Sequence, residues 1–419
     1  PYIMHATLPK KQHLIRLIVV MIIIPIMAES LYSPGLPALA ESFQVSIHSA
    51  ENTLSIFLLG FAIGNLFWGH VSDVIGRRPV VMTGFTLFII ATWICCQTQE
   101  FEYFMLARLL QAFGGSVSCC AQSINRDLFS QKERIAVSAF IGTSVSLTPA
   151  WGALIGGYVI TFFEWRVTFW ILLVTGMLLT SLLYYKLPET KQGNRLQVSP
   201  QALLGVSRKI FSDSNLLVHS TMIGLGLGIM YTFLGEGAFY CITELGMSSA
   251  AYSVICALGA LSYASGCQLA NFLIQRGLVY KKVMTIGLFG GLATYSIFLQ
   301  AVYLKVIKQG AASVVGVWFE PATIIILLLW MIGSVCLALV LTPSFAMVLE
   351  NQKDHSGVAA SWFGCINNGL NASINATMSV LHSTQMWVMP LFFMGICVLM
   401  IIVFFTTLDK SGLEAENMA

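Results

Sequence analysis

The chain has 419 residues, of which 57% are hydrophobic and only 10% charged, and its formal net charge is +3. A soluble globular domain carries about 25% charged residues, so this chain cannot cover a water-facing surface of its own size. The same composition excludes disorder, which needs low hydrophobicity and high net charge, and the small net charge gives no case for a nucleic-acid partner.

A membrane helix needs about 20 mostly apolar residues. Such stretches fall at 14–35, 50–71, 79–97, 101–124, 135–160 and 166–186, then at 216–241, 250–275, 282–304, 322–349, 356–381 and 386–407. Basic residues precede the first stretch, as in a signal peptide, but Glu29-Ser-Leu-Tyr-Ser-Pro34 follows where a small-residue cleavage site would stand. It therefore reads as the first membrane helix. The longest polar connection is 187–214, which divides the chain into lobes 1–186 and 215–419. Two six-helix lobes around a polar linker are a transporter arrangement, with the substrate site at the lobe interface. If the N-terminus is cytoplasmic, all of the 22 lysines and arginines except Arg108, Arg166, Lys305 and Lys308 fall on or beside the cytoplasmic side. The positive-inside rule then places both termini in the cytoplasm.

The ten cysteines sit mostly in apolar runs without metal-type spacing, where a free cysteine behaves as a small hydrophobe. No Walker loop, zinc motif or nucleophile elbow is present, so neither ATP-driven transport nor hydrolysis is expected. No cofactor or metal is expected either.

An ionisable residue in a span is costly unless it faces a cavity or a partner, which makes it a functional candidate. Glu29, Arg108 and Glu236 are such residues, each on the order of 10 Å below the periplasmic ends of their helices at 1.5 Å per residue. In a purely structural reading Glu29 and Arg108 form a buried ion pair and Glu236 sits near headgroups. In a functional reading Glu29 or Glu236 carries a proton as the cavity changes face. Asn368, Asn371 and Asn375 recur at helical spacing beside Asn367, a row that suits water or a polar ligand better than lipid. Gln111 is one turn from Arg108 and Tyr32 about one turn from Glu29. With Tyr231 and Tyr240 near Glu236, these complete the candidate cavity residues. Single tryptophans such as Trp68, Trp93, Trp151 and Trp330 read as packing or interface anchors.

After the second helix comes Gly69-His-Val-Ser-Asp73-Val-Ile-Gly76-Arg77-Arg78-Pro79. A positive-inside loop with a helix cap explains the arginines alone, but not the whole spacing. The stretch resembles the signature loop of the major facilitator superfamily. Gly60-Phe-Ala-Ile-Gly64-Asn65, Arg108-Leu-Leu-Gln111, Asn125-Arg126-Asp127 and Leu187-Pro-Glu-Thr190 extend the likeness to its drug:H+ antiporter branch, of the bicyclomycin/chloramphenicol-resistance type. So does Pro149-Ala-Trp-Gly152-Ala-Leu-Ile-Gly156-Gly157, which is similar to the antiporter motif. The chain departs from the pattern at Ala153, where proline is usual, at Val74, where arginine is usual, and at Ser30. There the pattern has an aspartate, and Glu29 stands one residue earlier.

The resemblance implies an all-α fold of twelve membrane helices in two pseudo-symmetric lobes. It also implies proton-coupled transport by alternating access, in the bacterial inner membrane, by a monomer. It marks Arg108 as functional and implies that Asp73, Arg77 and Arg126 hold the two lobes or adjacent helices together on the cytoplasmic side when the cavity faces out, in a motif that also carries Gly69, Gly76 and Arg78. Multidrug-type efflux by H+ antiport is the expected activity. The alternatives are a dedicated carrier of a carboxylate-rich metabolite such as a siderophore, and a transporter-shaped receptor or scaffold without flux.

Overall fold

The structure is a computed structural model describing residues 8–129, 131–190, 212–304, 321–348, 356–382 and 385–408. Some side chains within these ranges, including those of Asp73 and Arg126, fall outside the described set, as does most of the 187–214 linker. Among the described residues all regular structure is helical. In chain order the helices are α1 (Leu8–Ser30), α2 (Leu36–Phe43), α3 (Ile47–Ile75), α4 (Arg77–Gln97), α5 (Phe101–Gly115), α6 (Cys120–Leu128), α7 (Gln131–Phe162) and α8 (Arg166–Lys186). The second half contributes α9 (Ser214–Ala238), α10 (Ser249–Gln275), α11 (Tyr280–Tyr303), α12 (Pro321–Met347), α13 (Ser356–Leu381) and α14 (Val388–Val403).

Two pairs each make one crossing, α1 with the short α2 and α5 with α6, which gives twelve crossings in all. Ten are long and apolar enough to span a membrane by length and composition. The other two are α7, whose apolar part is Leu147–Phe162, and the asparagine-bearing α13. In lipid every backbone group must be satisfied internally, and polar side chains are kept quiet the same way. Thr92, Thr148, Ser334 and Ser344 each donate to the carbonyl four residues back.

Three boundaries differ from the sequence expectation, each for a local reason. The first helix stops at Ser30 because Pro34 and Pro37 lack the N–H that would continue it, and a 3-10 turn at Ser33–Gly35 leads into α2. The fourth span is broken after Gly115 by a 3-10 turn at Ser116–Cys119, where the Ser116 hydroxyl donates to the Phe113 carbonyl. The seventh runs on past Ala238 as a π-turn over Phe239–Glu244, a form that recurs at functional sites.

Each half has its own apolar core. Phe57, Phe88, Phe104 and Phe169 lie in the first, and Phe233, Tyr252, Tyr295 and Trp330 in the second. The halves meet along two antiparallel pairs, α3 against α13 and α7 against α10. At one end of the bundle, which carries Gly76 and is called here the motif end, Gly69 faces Ser361 and Asn65 faces Gly364. At the opposite, far end the Ser379 hydroxyl donates to Asn52 Oδ1 at 3.0 Å and Gly157 abuts Ser253. Among the described residues the halves therefore touch at both ends. Phe162, Tyr185 and Tyr303 are exposed near helix ends, where an aromatic belt meets the headgroups.

Candidate translocation site

Arg108, on α5, is fully buried. Its guanidinium carbon lies 4.1 Å from the Phe57 ring centre, 4.3 Å from Tyr32 and 5.6 Å from Phe169. Desolvated cation–π contacts of this kind are worth about 2 kcal/mol. Nη1 donates to the Ala28 carbonyl at 3.1 Å and to Gln111 Oε1. The Gln111 amide in turn donates to Thr92 Oγ1 at 2.8 Å, and the Tyr32 hydroxyl shares a 2.8 Å bond with Thr53. Among the described residues Nε and Nη2 have no hydrogen-bond partner within ordinary geometry. Arg108 and Gln111 thus stand together, as their spacing predicted, and Tyr32, expected from spacing beside Glu29, packs against Arg108.

Glu29 is also buried, at 4% exposure, but it does not pair with this arginine. Arg108 acts on it electrostatically, yet among the described residues the two make no ion pair within 4 Å. The Tyr231 hydroxyl, reaching across from α9, lies beside the carboxylate, while Oε1 has no hydrogen-bond partner. The buried Glu29–Arg108 ion pair considered from sequence is therefore not formed. A cavity of about 60 Å³ adjoins the same junction, lined by Pro149 of α7, Tyr231 and Phe233 of α9, and Trp330 of α12. Trp330 stacks on Phe233 with ring centres 3.7 Å apart.

The antiporter-like stretch explains how these helices come so close. A Cβ on Gly152 would meet Ser30 Oγ at 1.9 Å, and one on Gly156 would meet the Leu31 carbonyl oxygen at 1.8 Å. Only glycine lets α7 lie against the end of α1 there. Gly157 turns to the other half, where a Cβ would meet Ser253 Oγ at 1.7 Å.

At the motif end the signature loop bends at Gly76, whose φ of 118° disfavours any side chain. The Glu189 carboxylate accepts from the Arg77 N–H at 3.0 Å and the Arg78 N–H at 3.2 Å, a negative charge at the positive end of α4. Arg78 also donates to the Tyr184 carbonyl at 2.7 Å. Arg77, 4% exposed, pairs with Asp127 of α6 at 3.5 Å and donates to Ser72. Every contact described here joins helices of the first half. The expectation that this loop clasps adjacent helices fits these contacts, but the roles given to Asp73 and Arg126 fall on undescribed side chains.

Residues 18–376 match the family model of the Major Facilitator Superfamily. The chain belongs to that superfamily. It is 31% identical over 358 residues to an uncharacterized transporter of Rickettsia felis, covering 85% of this chain and 86% of that one. It is 26% identical over 245 residues to multidrug resistance protein D of Escherichia coli, covering 58% and 61% of the two chains. The fold is similar to that of an E. coli xylose transporter in a partially occluded inward-open conformation. There the TM-score is 0.71 at 14% identity, over 94% of this chain and 96% of that one.

The remaining sequence candidates of this major facilitator protein are dispersed. On α13, Asn368 and Asn375 donate back to the Gly364 and Asn371 carbonyls at 2.9 Å. Asn371 is fully buried and neither atom of its amide has a partner, and Asn367 Oδ1 is likewise unpartnered. Tyr240 packs edge-on against Phe298 in the second core, with an unpartnered hydroxyl. Glu236 lies at the far end, where both its oxygens meet His382 Nδ1, at 2.8 and 3.0 Å. Sequence reasoning missed His382 and also Glu51, a buried carboxylate of α3 whose Oε1 is 4.0 Å from that same nitrogen. Both stand at the margin of a span, where a charged residue is unremarkable by hydropathy. The missed Asp127 and Glu189 belonged to quoted motifs, but their sequence separation from Arg77 hides the pairing.

Proposed function

We propose that this transporter exports small organic molecules in exchange for protons, with Glu29 as the proton-carrying carboxylate. The observation that carries the reading is the position of Glu29. It is buried at the junction of the two halves, next to Tyr231 of the opposite half, with one oxygen unpartnered and no ion pair to Arg108. A buried carboxylate that lacks a counter-ion is costly to keep charged, so protonation would stabilise the occluded state and loss of the proton would favour opening. Glu236, the other candidate, is held by His382 at the far end. The relative named for multidrug resistance supports a drug-type substrate, and the arginine-rich motif end would face the cytoplasm of a bacterial inner membrane.

The test is uptake of tetraphenylphosphonium by proteoliposomes under an imposed pH difference. Glu29→Gln should abolish accumulation driven by the pH difference while substrate exchange at equal pH continues. Undiminished accumulation in that variant would place the proton site elsewhere.

A second reading draws on Arg108. With Glu29 turned to Tyr231, Nε and Nη2 of Arg108 have no hydrogen-bond partner within ordinary geometry among the described residues, and a guanidinium fork suits a carboxylate-bearing ligand. A carrier of carboxylate-rich metabolites should lose binding of citrate, used as a simple probe, in Arg108→Lys as in Arg108→Ala. A drug exporter should keep much of its activity in Arg108→Lys.

A further inference from the structure

Glu51, Glu236 and His382 meet at the far end, where the two halves touch. Glu51 belongs to α3 of the first half, Glu236 to α9, and His382 follows directly on α13. One ligand atom from each lies within 4.8 Å of the others. His382 Nδ1 is 2.8 Å from Glu236 Oε2 and 4.0 Å from Glu51 Oε1. Both carboxylates are 5% exposed and the imidazole 13%. Both oxygens of Glu51 are sealed from solvent, and among the described residues neither accepts a hydrogen bond from an N–H or hydroxyl donor, while the Glu236 carboxylate lies beside them.

Two ionised carboxylates would outnumber one imidazolium, and among the described residues no lysine or arginine pairs with either acid. A buried anion without compensation costs several kcal/mol. The imidazole cannot cover both acids, because its Nδ1 is already directed at Glu236.

We propose that Glu51, Glu236 and His382 form a divalent-cation site, with Zn²⁺ as its reference occupant, that ties the two halves together at the far end. The donor set is one imidazole nitrogen and two carboxylates, which suits Zn²⁺ better than Mg²⁺ or Ca²⁺, the ions of all-oxygen sites. Zinc takes such ligands at about 2.0–2.2 Å in a tetrahedron, with an open fourth position for water. That geometry sets ligand atoms roughly 3.3–3.5 Å apart. The present separations of 2.8 and 4.0 Å bracket this spacing, so small side-chain rotations suffice. On binding, the imidazolium releases its Nδ1 proton to solvent, keeps the proton on Nε2, gives up its hydrogen bond to Glu236 and donates the freed Nδ1 lone pair to the metal. The His382 ring stands at 65° to Phe239, centres 6.1 Å apart, a contact that limits its rotation.

Because ligands come from both halves, the site exists only while the far end is closed. An ion bound there stabilises the closed state by mass action, and alternating access must break the site to open that end. Binding itself does not depend on the proposed transport activity, while the effect on gating does.

The experiment uses the full-length protein, purified in detergent and stripped with EDTA. ZnCl₂ is titrated by calorimetry and thermal unfolding, with MgCl₂ and CaCl₂ as controls. The expected result is one saturable Zn²⁺ equivalent that raises the unfolding temperature, with no equivalent effect of Mg²⁺ or Ca²⁺. Glu51→Gln and His382→Ala should each weaken it by about tenfold or more, and Glu51→Gln is close enough in shape to preserve the fold. Co²⁺ gives a second readout that separates this site from the ten cysteines of the chain. Its visible spectrum should show tetrahedral d–d bands that Glu51→Gln removes, without the near-ultraviolet thiolate-to-metal band. Zn²⁺ binding unchanged in both variants, a thiolate band, or no saturable Zn²⁺ binding would each overturn the proposal. So would thermal stability that depends on pH but not on Zn²⁺, since the two acids would then be sharing a proton instead. Loss of tetraphenylphosphonium transport with Zn²⁺ binding intact would count against the proton-antiport reading alone.

Discussion

The two ends of the bundle carry ionisable groups of similar kind and use them differently. At the motif end Arg77 pairs with Asp127, and Glu189 accepts from the first two N–H groups of α4. These contacts lock α4, α6 and α8 to one another inside the first half. The halves meet there through small residues, Gly69 against Ser361 and Gly364 against Asn65. At the far end Glu51 faces Glu236 and His382 across the halves, and Asn52 accepts from Ser379. Among the described residues, charge therefore serves helix termini at one end and the contact between halves at the other. Substitutions at the motif end should cost stability without changing which face is open, whereas substitutions at the far end should move that equilibrium.

The largest effect is expected from Asp127→Asn. Arg77 is 4% exposed, and removing the partner of a buried charge costs about 3–5 kcal/mol. Asp127 is 20% exposed at its side chain and Ser72 still accepts from Arg77, so the lower end, about 3 kcal/mol, is expected. The unfolding temperature should fall by several degrees. Reporter cysteines in a cysteine-free background should not change their relative labelling, one at Leu54 near the far end and one at Asn65 near the motif end. A shift toward labelling at position 65 would show that the motif charges also gate.

Gly157→Val attacks the other side of the comparison. A Cβ there meets Ser253 Oγ at 1.7 Å and the Ser249 carbonyl oxygen at 2.7 Å, and the second is backbone that cannot rotate away. Overpacking costs about 1–3 kcal/mol, which separating the halves would relieve. Labelling at position 54 should rise by about tenfold, since 1.4 kcal/mol is a factor of ten. Gly69→Val is the control at the motif end. Its closest neighbour is the rotatable Ser361 hydroxyl at 2.1 Å, so a smaller rise, at position 65, is expected. Equal effects at both ends would remove the distinction.

Much of this was legible in the sequence because lipid imposes one rule on the whole chain. Twelve apolar stretches and a glycine-bearing loop before Arg77 follow from what a membrane helix must satisfy. Arg108, Gln111 and Tyr32 were legible for the same reason, since a charge or amide in a span needs neighbours. The orientation of Glu29 was not. A carboxylate one residue from the pattern position turns by about 100° on a helix, and its neighbour Tyr231 lies on a helix of the other half. Glu51 and His382 were hidden because each looks ordinary at a span margin, and their meaning lies in a contact between residues far apart in the chain. The asparagines of α13 show the limit of periodicity. Their spacing is helical, but Asn368 and Asn375 spend a donor on their own backbone, a choice spacing does not encode.

The smallest effect is expected from Ser379→Ala, and it tests the far end where the geometry is least forcing. The Ser379 hydroxyl has one proton and two acceptors in reach, Asn52 Oδ1 at 3.0 Å and the Ala376 carbonyl at 2.9 Å. The bond between the halves is thus shared with one inside α13. A single neutral hydrogen bond contributes about 1 kcal/mol net, and sharing lowers the part that joins the halves. Alanine leaves Asn52 Nδ2 its contact with His48 at 3.2 Å, so the amide does not lose all its partners. Far-end labelling at position 54 should rise by about two- to fivefold, the factor for less than 1 kcal/mol, with motif-end labelling at position 65 unchanged or lower. If Ser379→Ala lowers the unfolding temperature and leaves both labelling rates in proportion, the Asn52–Ser379 contact stabilises α13 rather than the closed far end. The joining of the halves there would then fall to Glu51, Glu236 and His382 together with the close approach at Gly157.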